Sequence, residues 1–238
     1  MLLKELDWRG VKDYLEREDR IVLPIGSVEQ HGPFGILGTD HLVPEAIAAE
    51  VASRTGTLAA PVIAYGMSQH HMAFPGTMSL EPTTLILVIR DLLASLSRHG
   101  FHRVLILNGH GGNIAPVQSG IAEICHKETD LKIKFFSWWE KEEIRALLEE
   151  MFGDEEGHHG TPSEISMVMH LHPGQIRKRE LPLQSKRMRK YVTSYIRFRE
   201  LFPDGSINSN PHLASEENGK RIFHACVEAF VKEMADWD

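Results

Sequence analysis

The sequence predicts an α/β protein, a three-layer α/β/α sandwich around a mainly parallel sheet, and three observations carry that prediction. Short apolar runs of strand length alternate with longer segments whose apolar residues recur at helical spacing. The connections between the runs are long enough to hold a helix each, which implies right-handed βαβ crossovers. The runs Ile21-Val22-Leu23-Pro24-Ile25 and Val104-Leu105-Ile106-Leu107 are apolar without a break, as strands covered on both faces are. A chain of 238 residues fits one such domain, 1–238, and no linker demands a second.

In chain order, residues 8–18 read as a short polar helix and 20–25 as the first buried strand. A glycine-rich loop from Gly26 to Gly38 leads into a helix from about His41 to Ser53. Thr57 to Tyr65 reads as a second strand, followed by the loop Gly66–Leu80 with His70, His71 and Phe74-Pro75-Gly76-Thr77. Pro82 suits the first turn of a helix running through Leu85–His99. Arg103–Leu107 is a third strand, Asn113–Lys127 a helix, and Lys132–Phe136 a fourth strand running into Ser137-Trp138-Trp139. Beyond about 140 the rhythm changes to an acidic helix, Lys141–Met151, a loop, Gly153–Gly160, and a helix opening near Ser163 with that serine as cap. Residues 173–212 read as basic and then irregular, and 216–235 as a closing amphipathic helix.

Composition narrows the function classes. A net charge of −7 argues against a nucleic-acid footprint. No apolar stretch approaches the ~20 residues that span a bilayer. The opening Met-Leu-Leu-Lys-Glu-Leu-Asp lacks a signal-peptide pattern, so a cytoplasmic protein acting on a small molecule is expected. Cys125 and Cys226 lack metal-ligand spacing and read as reduced thiols.

The chemistry is expected where two strands end. Glu29 and His31 follow the first run, and in an extended segment residues two apart face the same side. Asp40 follows across a loop whose Gly32, Gly35 and Gly38 let the chain turn back. Spacing alone leaves two readings: a shared site, or a solvated loop followed by an ordinary helix-entrance carboxylate. Asn108-Gly109-His110-Gly111-Gly112-Asn113 sets an imidazole at the mouth of the sheet, where open α/β sheets build their sites. Glycine-rich loops also cradle phosphate, but this one has neither phosphate-loop spacing. Glu164 falls in a helical first turn, where a carboxylate is favourable for structural reasons too. Three carboxylates and two imidazoles without cysteine suit a pair of divalent ions about 3.5–4 Å apart better than one zinc. Zn²⁺, Mn²⁺ and Fe²⁺ fit such donors, and Asp40 is the candidate bridge.

Together these blocks resemble the creatininase family of metal-dependent amidohydrolases. The matching pieces are Leu23-Pro24-Ile25-Gly26-Ser27-Val28-Glu29-Gln30-His31-Gly32-Pro33, Thr39-Asp40, Phe74-Pro75-Gly76-Thr77 and Asn108–Asn113. His159 with Glu164-Ile165-Ser166, and Asn210-Pro211-His212-Leu213-Ala214 with Glu217 and Gly219, extend the match over nearly the whole chain. The resemblance implies a two-metal centre and a homo-oligomer, commonly a hexamer. It makes Glu29, His31, Asp40 and His110 ligands and His159 the proton donor. It also shows two departures from true creatininases. Gly111 and Gly112 stand where those keep a tyrosine and a metal-binding glutamate, and Asp154-Glu155-Glu156-Gly157 stands where they keep a Trp-Asp pair. Glu164 is the natural fifth ligand, and the two glycines are expected to enlarge the site.

The expected activity is hydrolysis of a C–N bond in a small polar amide, cyclic amide or formamide by a metal-activated hydroxide. Related members deformylate a pyrimidine intermediate, clip a peptide precursor or open oxidised cyclitols. The alternatives are creatinine–creatine interconversion and a non-catalytic metal-binding scaffold. His71, Thr77 and Trp138 are candidate substrate contacts, each with a competing loop, turn or core role. His158 competes with His159 as the proton donor. The basic run Arg177, Lys178, Arg179, Lys186, Arg187, Arg189 and Lys190 reads as a solvated face or subunit contact, or as a handle for a phosphorylated substrate.

Overall fold

The computed structural model describes residues 1–127, 130–177 and 194–237. Its centre is a sheet of β1 (Arg20–Ile25), β2 (Leu58–Ala59), β3 (Arg103–Asn108) and β4 (Lys132–Ser137). The order is β2-β1-β3-β4, and every neighbouring pair is parallel. Parallel neighbours cannot be joined by hairpins, so the connections carry α2 (Thr39–Thr55), α3 (Pro82–His99) and α4 (Ile114–Cys125). α1 (Trp8–Leu15) precedes the sheet; α5 (Glu142–Phe152), α6 (Pro162–Leu171), α7 (Tyr195–Leu201) and α8 (Glu216–Ala235) follow it.

The alternation of side chains along each strand sorts the core into two layers. Val22, Leu105 and Leu107 pack with Val43, Ile47 and Val51 of α2, Met167 of α6 and Ile222 and Phe230 of α8. Ile21, Leu23, Ile25, Val104 and Ile106 pack on the other face with Leu85, Ile89 and Leu93 of α3 and Val117 and Ile124 of α4. The continuous apolar runs are therefore explained: odd and even residues both meet helices.

Three expectations are corrected. The second strand is two residues long rather than spanning 57–65, because Pro61 has no N–H to give a ladder and the chain touches β1 again only through the Ile63–Ile25 bridge. The cap of α6 is Thr161 rather than Ser163. The stretch read as irregular holds α7, whose Phe198 packs with Phe74, Phe202 and Ile207. Of the basic run, all but Arg177 lies outside the described residues.

Two glycines fix how the site is assembled. A Cβ at Gly26, after β1, would lie 2.2 Å from the Asp40 carbonyl oxygen, and one at Gly109, after β3, would lie 2.1 Å from the same atom. Only glycine at both strand ends lets the first turn of α2 settle against the edge of the sheet.

Candidate metal centre

That close approach brings Asp40 down between the two strand-end loops. His31 is fully buried, its Nδ1 donates to the Glu29 carbonyl oxygen at 3.1 Å, and its Nε2 lies 2.8 Å from Asp40 Oδ1. Fixing the Nδ1 proton on a backbone carbonyl leaves the Nε2 lone pair available to a ligand, an arrangement common among metal-binding histidines. His110 approaches from β3, with Nδ1 3.1 Å from Asp40 Oδ2 and Nε2 3.3 Å from Glu29 Oε2. Its loop is held by Asn108, which accepts from the His110 N–H at 3.1 Å and donates to the His110 carbonyl at 2.8 Å. Asn113 ties the same loop across to Gly26 and Met67.

Glu164 arrives from α6 as one half of a capping box. Its Oε2 accepts from the Thr161 N–H at 2.8 Å, while the Thr161 hydroxyl accepts from the Glu164 N–H at 3.2 Å. Asp40 and Glu164 thus both sit in first helical turns, where the backbone favours negative charge.

The five side chains fall into two sets of three, with ligand atoms within 4.8 Å of one another in each: Glu29, Asp40 and His110, and His31, Asp40 and Glu164. Asp40 belongs to both. A further set joins Glu29 and His31 to His159. Both Glu29 oxygens and Asp40 Oδ2 are buried without a hydrogen bond. Imidazole nitrogens stand 3.3 Å from each Glu29 oxygen, but neither is aligned to donate, and His110 Nε2 is 2.9 Å from the Met67 carbonyl. Buried carboxylate oxygens without donors need a cation, so the donor set fits a pair of divalent ions.

The electrostatics agree. Burial raises the Glu29 carboxyl to about 7, opposed by His110 and His31 and assisted by Asp40. Burial would also raise Asp40, but His31 and His110 outweigh it and hold the group well below the usual carboxylate range. Burial disfavours charge on His31, yet Asp40, with Glu164 and Glu29 behind it, lifts its pKa to about 10. Glu29 and Asp40 do the same for His110 against burial, reaching about 9. The carboxylates around both imidazoles thus favour their charged forms.

His159 and His71 stack with ring centroids 4.3 Å apart beside Glu29. His159 Nε2 is 2.7 Å from the Gln30 carbonyl, to which it can only donate, so Nδ1 carries the lone pair, 3.6 Å from Glu29 Oε1. Burial first, and His31 second, push His159 well below its ordinary value, so the ring is neutral at pH 7. His158, by contrast, is exposed, although it too lines the cavity.

The centre opens into a cavity of about 1010 Å³. His71 and Trp138 lie on its wall, but Trp138 is only 2% exposed and belongs chiefly to the core. Thr77 is buried outside the residues that line this cavity, and its hydroxyl accepts from the Gln30 N–H at 3.3 Å. The two glycines after His110 differ. A Cβ at Gly111 meets open space, whereas one at Gly112 would lie 2.3 Å from the Met67 carbonyl and 2.4 Å from His110 Nε2. The expected enlargement therefore comes from Gly111 alone, because the room at Gly112 is already filled. Glu156 was noted in the sequence only as a departure from the resemblance. It is on the wall with its Oε2 buried and unpartnered, its carboxyl raised by burial to about 7 and its Oε1 hydrogen-bonded to the Ser163 hydroxyl. No spacing signal in the sequence distinguishes it from its acidic neighbours.

A family model described as creatininase (creatinine amidohydrolase) matches residues 4–234. Creatinine amidohydrolase of Pseudomonas putida is 27% identical over 256 residues, covering 98% of this chain and 95% of that protein. Mycofactocin precursor peptide peptidase of Mycolicibacterium smegmatis is 28% identical over 229 residues, covering 91% and 85%. A solved structure described as the manganese form of creatininase superposes with a TM-score of 0.87 at 28% identity, over 98% of this chain and 96% of that one.

Proposed function

The chain belongs to the creatininase family, and from that premise we propose that it is a two-metal hydrolase of a C–N bond in a small polar amide, cyclic amide or formamide. The observation that carries the reading is the sharing of Asp40 between two three-residue sets, one fully buried and one buried but for Glu164, beside carboxylate oxygens that lack donors. Glu29 and His110 would hold one ion, His31 and Glu164 the other, and Asp40 both. Zn²⁺, Mn²⁺ and Fe²⁺ suit these donors. When bound, such ions lower the pKa of water towards about 7 and polarise a carbonyl oxygen.

The chain's own residues supply the rest. His159 is neutral with its Nδ1 lone pair on the site side, so Nδ1 takes a proton from the attacking water and returns it to the departing nitrogen. That return is needed because an amine anion is too poor a leaving group to depart unassisted. The Gln30 carbonyl holds the opposite nitrogen and so keeps Nδ1 on the site side. Creatinine itself is disfavoured, since the cavity is far larger than one small ring and lacks the side chains that creatininases carry at 111 and 112.

The cavity's size also supports a second reading, cleavage of a short peptide, as the name of the mycobacterial relative describes for that protein. Formamides, lactams, cyclic ureas and short peptides assayed with metal-loaded protein separate the two. Full activity in metal-free protein would sink both.

A further inference from the structure

Among the described residues, the cavity wall carries a single lysine or arginine, Arg145, alongside Glu149, Asp154, Glu156 and His158. Arg145 is exposed on α5, three residues after Glu142 and four before Glu149, spacings at which helical ion pairs form readily. It forms none. No carboxylate oxygen lies within 4.0 Å of its guanidinium among the described residues. A planar fork of donors therefore lines the cavity without a carboxylate partner among the described residues, on a wall it shares with Glu149 and Asp154.

We infer that the substrate carries a carboxylate remote from its scissile carbonyl, and that Arg145 is the residue that binds it. A carboxylate matches the guanidinium in shape and takes two parallel hydrogen bonds. A phosphate would bring a second negative charge to a wall that carries Glu149 and Asp154 and, among the described residues, no second lysine or arginine. The chemical class is then an N-acyl or cyclic amide bearing one acid group, bound with the amide over the centre and the acid towards α5. The inference rests on the amidohydrolase reading, because it puts the acid on the same molecule as the amide.

The test is calorimetric titration of zinc-loaded protein with N-acetylglycine and its neutral isostere N-acetylglycinamide. Wild-type protein should bind the acid roughly fivefold or more tightly than the amide. Arg145→Gln should lose most of that preference while changing affinity for the amide by less than about twofold. Because Arg145 is exposed and unpaired, the variant should fold, and circular dichroism checks that. Equal binding of acid and amide by wild type overturns the inference, as does the absence of any binding by the acid. So does an acid preference that survives in Arg145→Gln, which would mean that the acid sits on the metals. Tighter binding of N-acetylaminomethylphosphonate than of N-acetylglycine also overturns it. Failure of every amide in the turnover panel would sink the hydrolase reading separately, without touching this binding result.

Discussion

Asp40 lies 2.8 Å from His31 and 3.1 Å from His110, and no other carboxylate belongs to both three-ligand sets. Asp40→Ala is expected to reduce bound metal from two ions per chain to none, read by elemental analysis of the dialysed protein. Glu164→Gln should instead lose one ion and keep the other, since only the set with His31 contains it. His159→Asn should keep both ions and lower kcat by roughly 10²–10⁴-fold, the usual worth of a positioned acid–base group. Loss of metal in that variant would recast His159 as a ligand. In the sequence, Glu29, His31 and His110 were legible from strand ends and residue spacing. Asp40 and Glu164 were named with them, but on the whole donor set and the family resemblance, because a carboxylate in a first helical turn also has a sufficient local explanation.

At the scale of elements, α6 is capped by the residue pair that also presents a candidate ligand. Thr161→Ala removes the hydroxyl that accepts from the Glu164 N–H and should cost about 1 kcal/mol of stability. Its metal affinity should fall as well, because Glu164 loses its fixed first turn, and chelator competition reads that change. The four strand positions and most helices were legible because each carries its own periodicity. The true length of β2 and the presence of α7 were not. β2 stops where Pro61 removes a donor, and α7 is a seven-residue segment held by Phe74 and Ile207 from elsewhere in the chain. A helix that short gains little from its own hydrogen bonds and depends on packing.

The whole molecule should show the centre in its pH dependence. His31 and His110 have folded pKa values of about 10 and 9, above the ordinary imidazole value. Groups raised in this way stabilise the folded state fully below the unfolded value and lose that contribution as pH rises through the folded one. His41, His70, His71 and His159 are shifted the other way, but above about pH 8 they are neutral in both states and add no slope. Metal-free protein should therefore lose thermal stability as pH climbs from about 8 to 10. Metal-loaded protein, whose histidines bind as neutral ligands, should not follow that slope, and its binding should release protons. Parallel melting curves for the two forms test this directly. A flat metal-free profile would mean that the imidazoles are not holding the site's charge together.

The sequence by itself determined the layered α/β fold, the strand ends that carry chemistry, and the family to which the residues point. Those features are written in local periodicity and in blocks of neighbouring residues. The tertiary structure adds the distances that put Asp40 in two three-residue sets and Glu164 in one of them, where the sequence could only name both as candidates. It also decided that Gly111 opens space while Gly112 has none, and that Arg145 faces the cavity with no carboxylate partner among the described residues. Each of these depends on distances between segments far apart in the chain. Those distances are set by how closely α2 approaches the glycines at the ends of β1 and β3, and by where α5 and α6 pack around them.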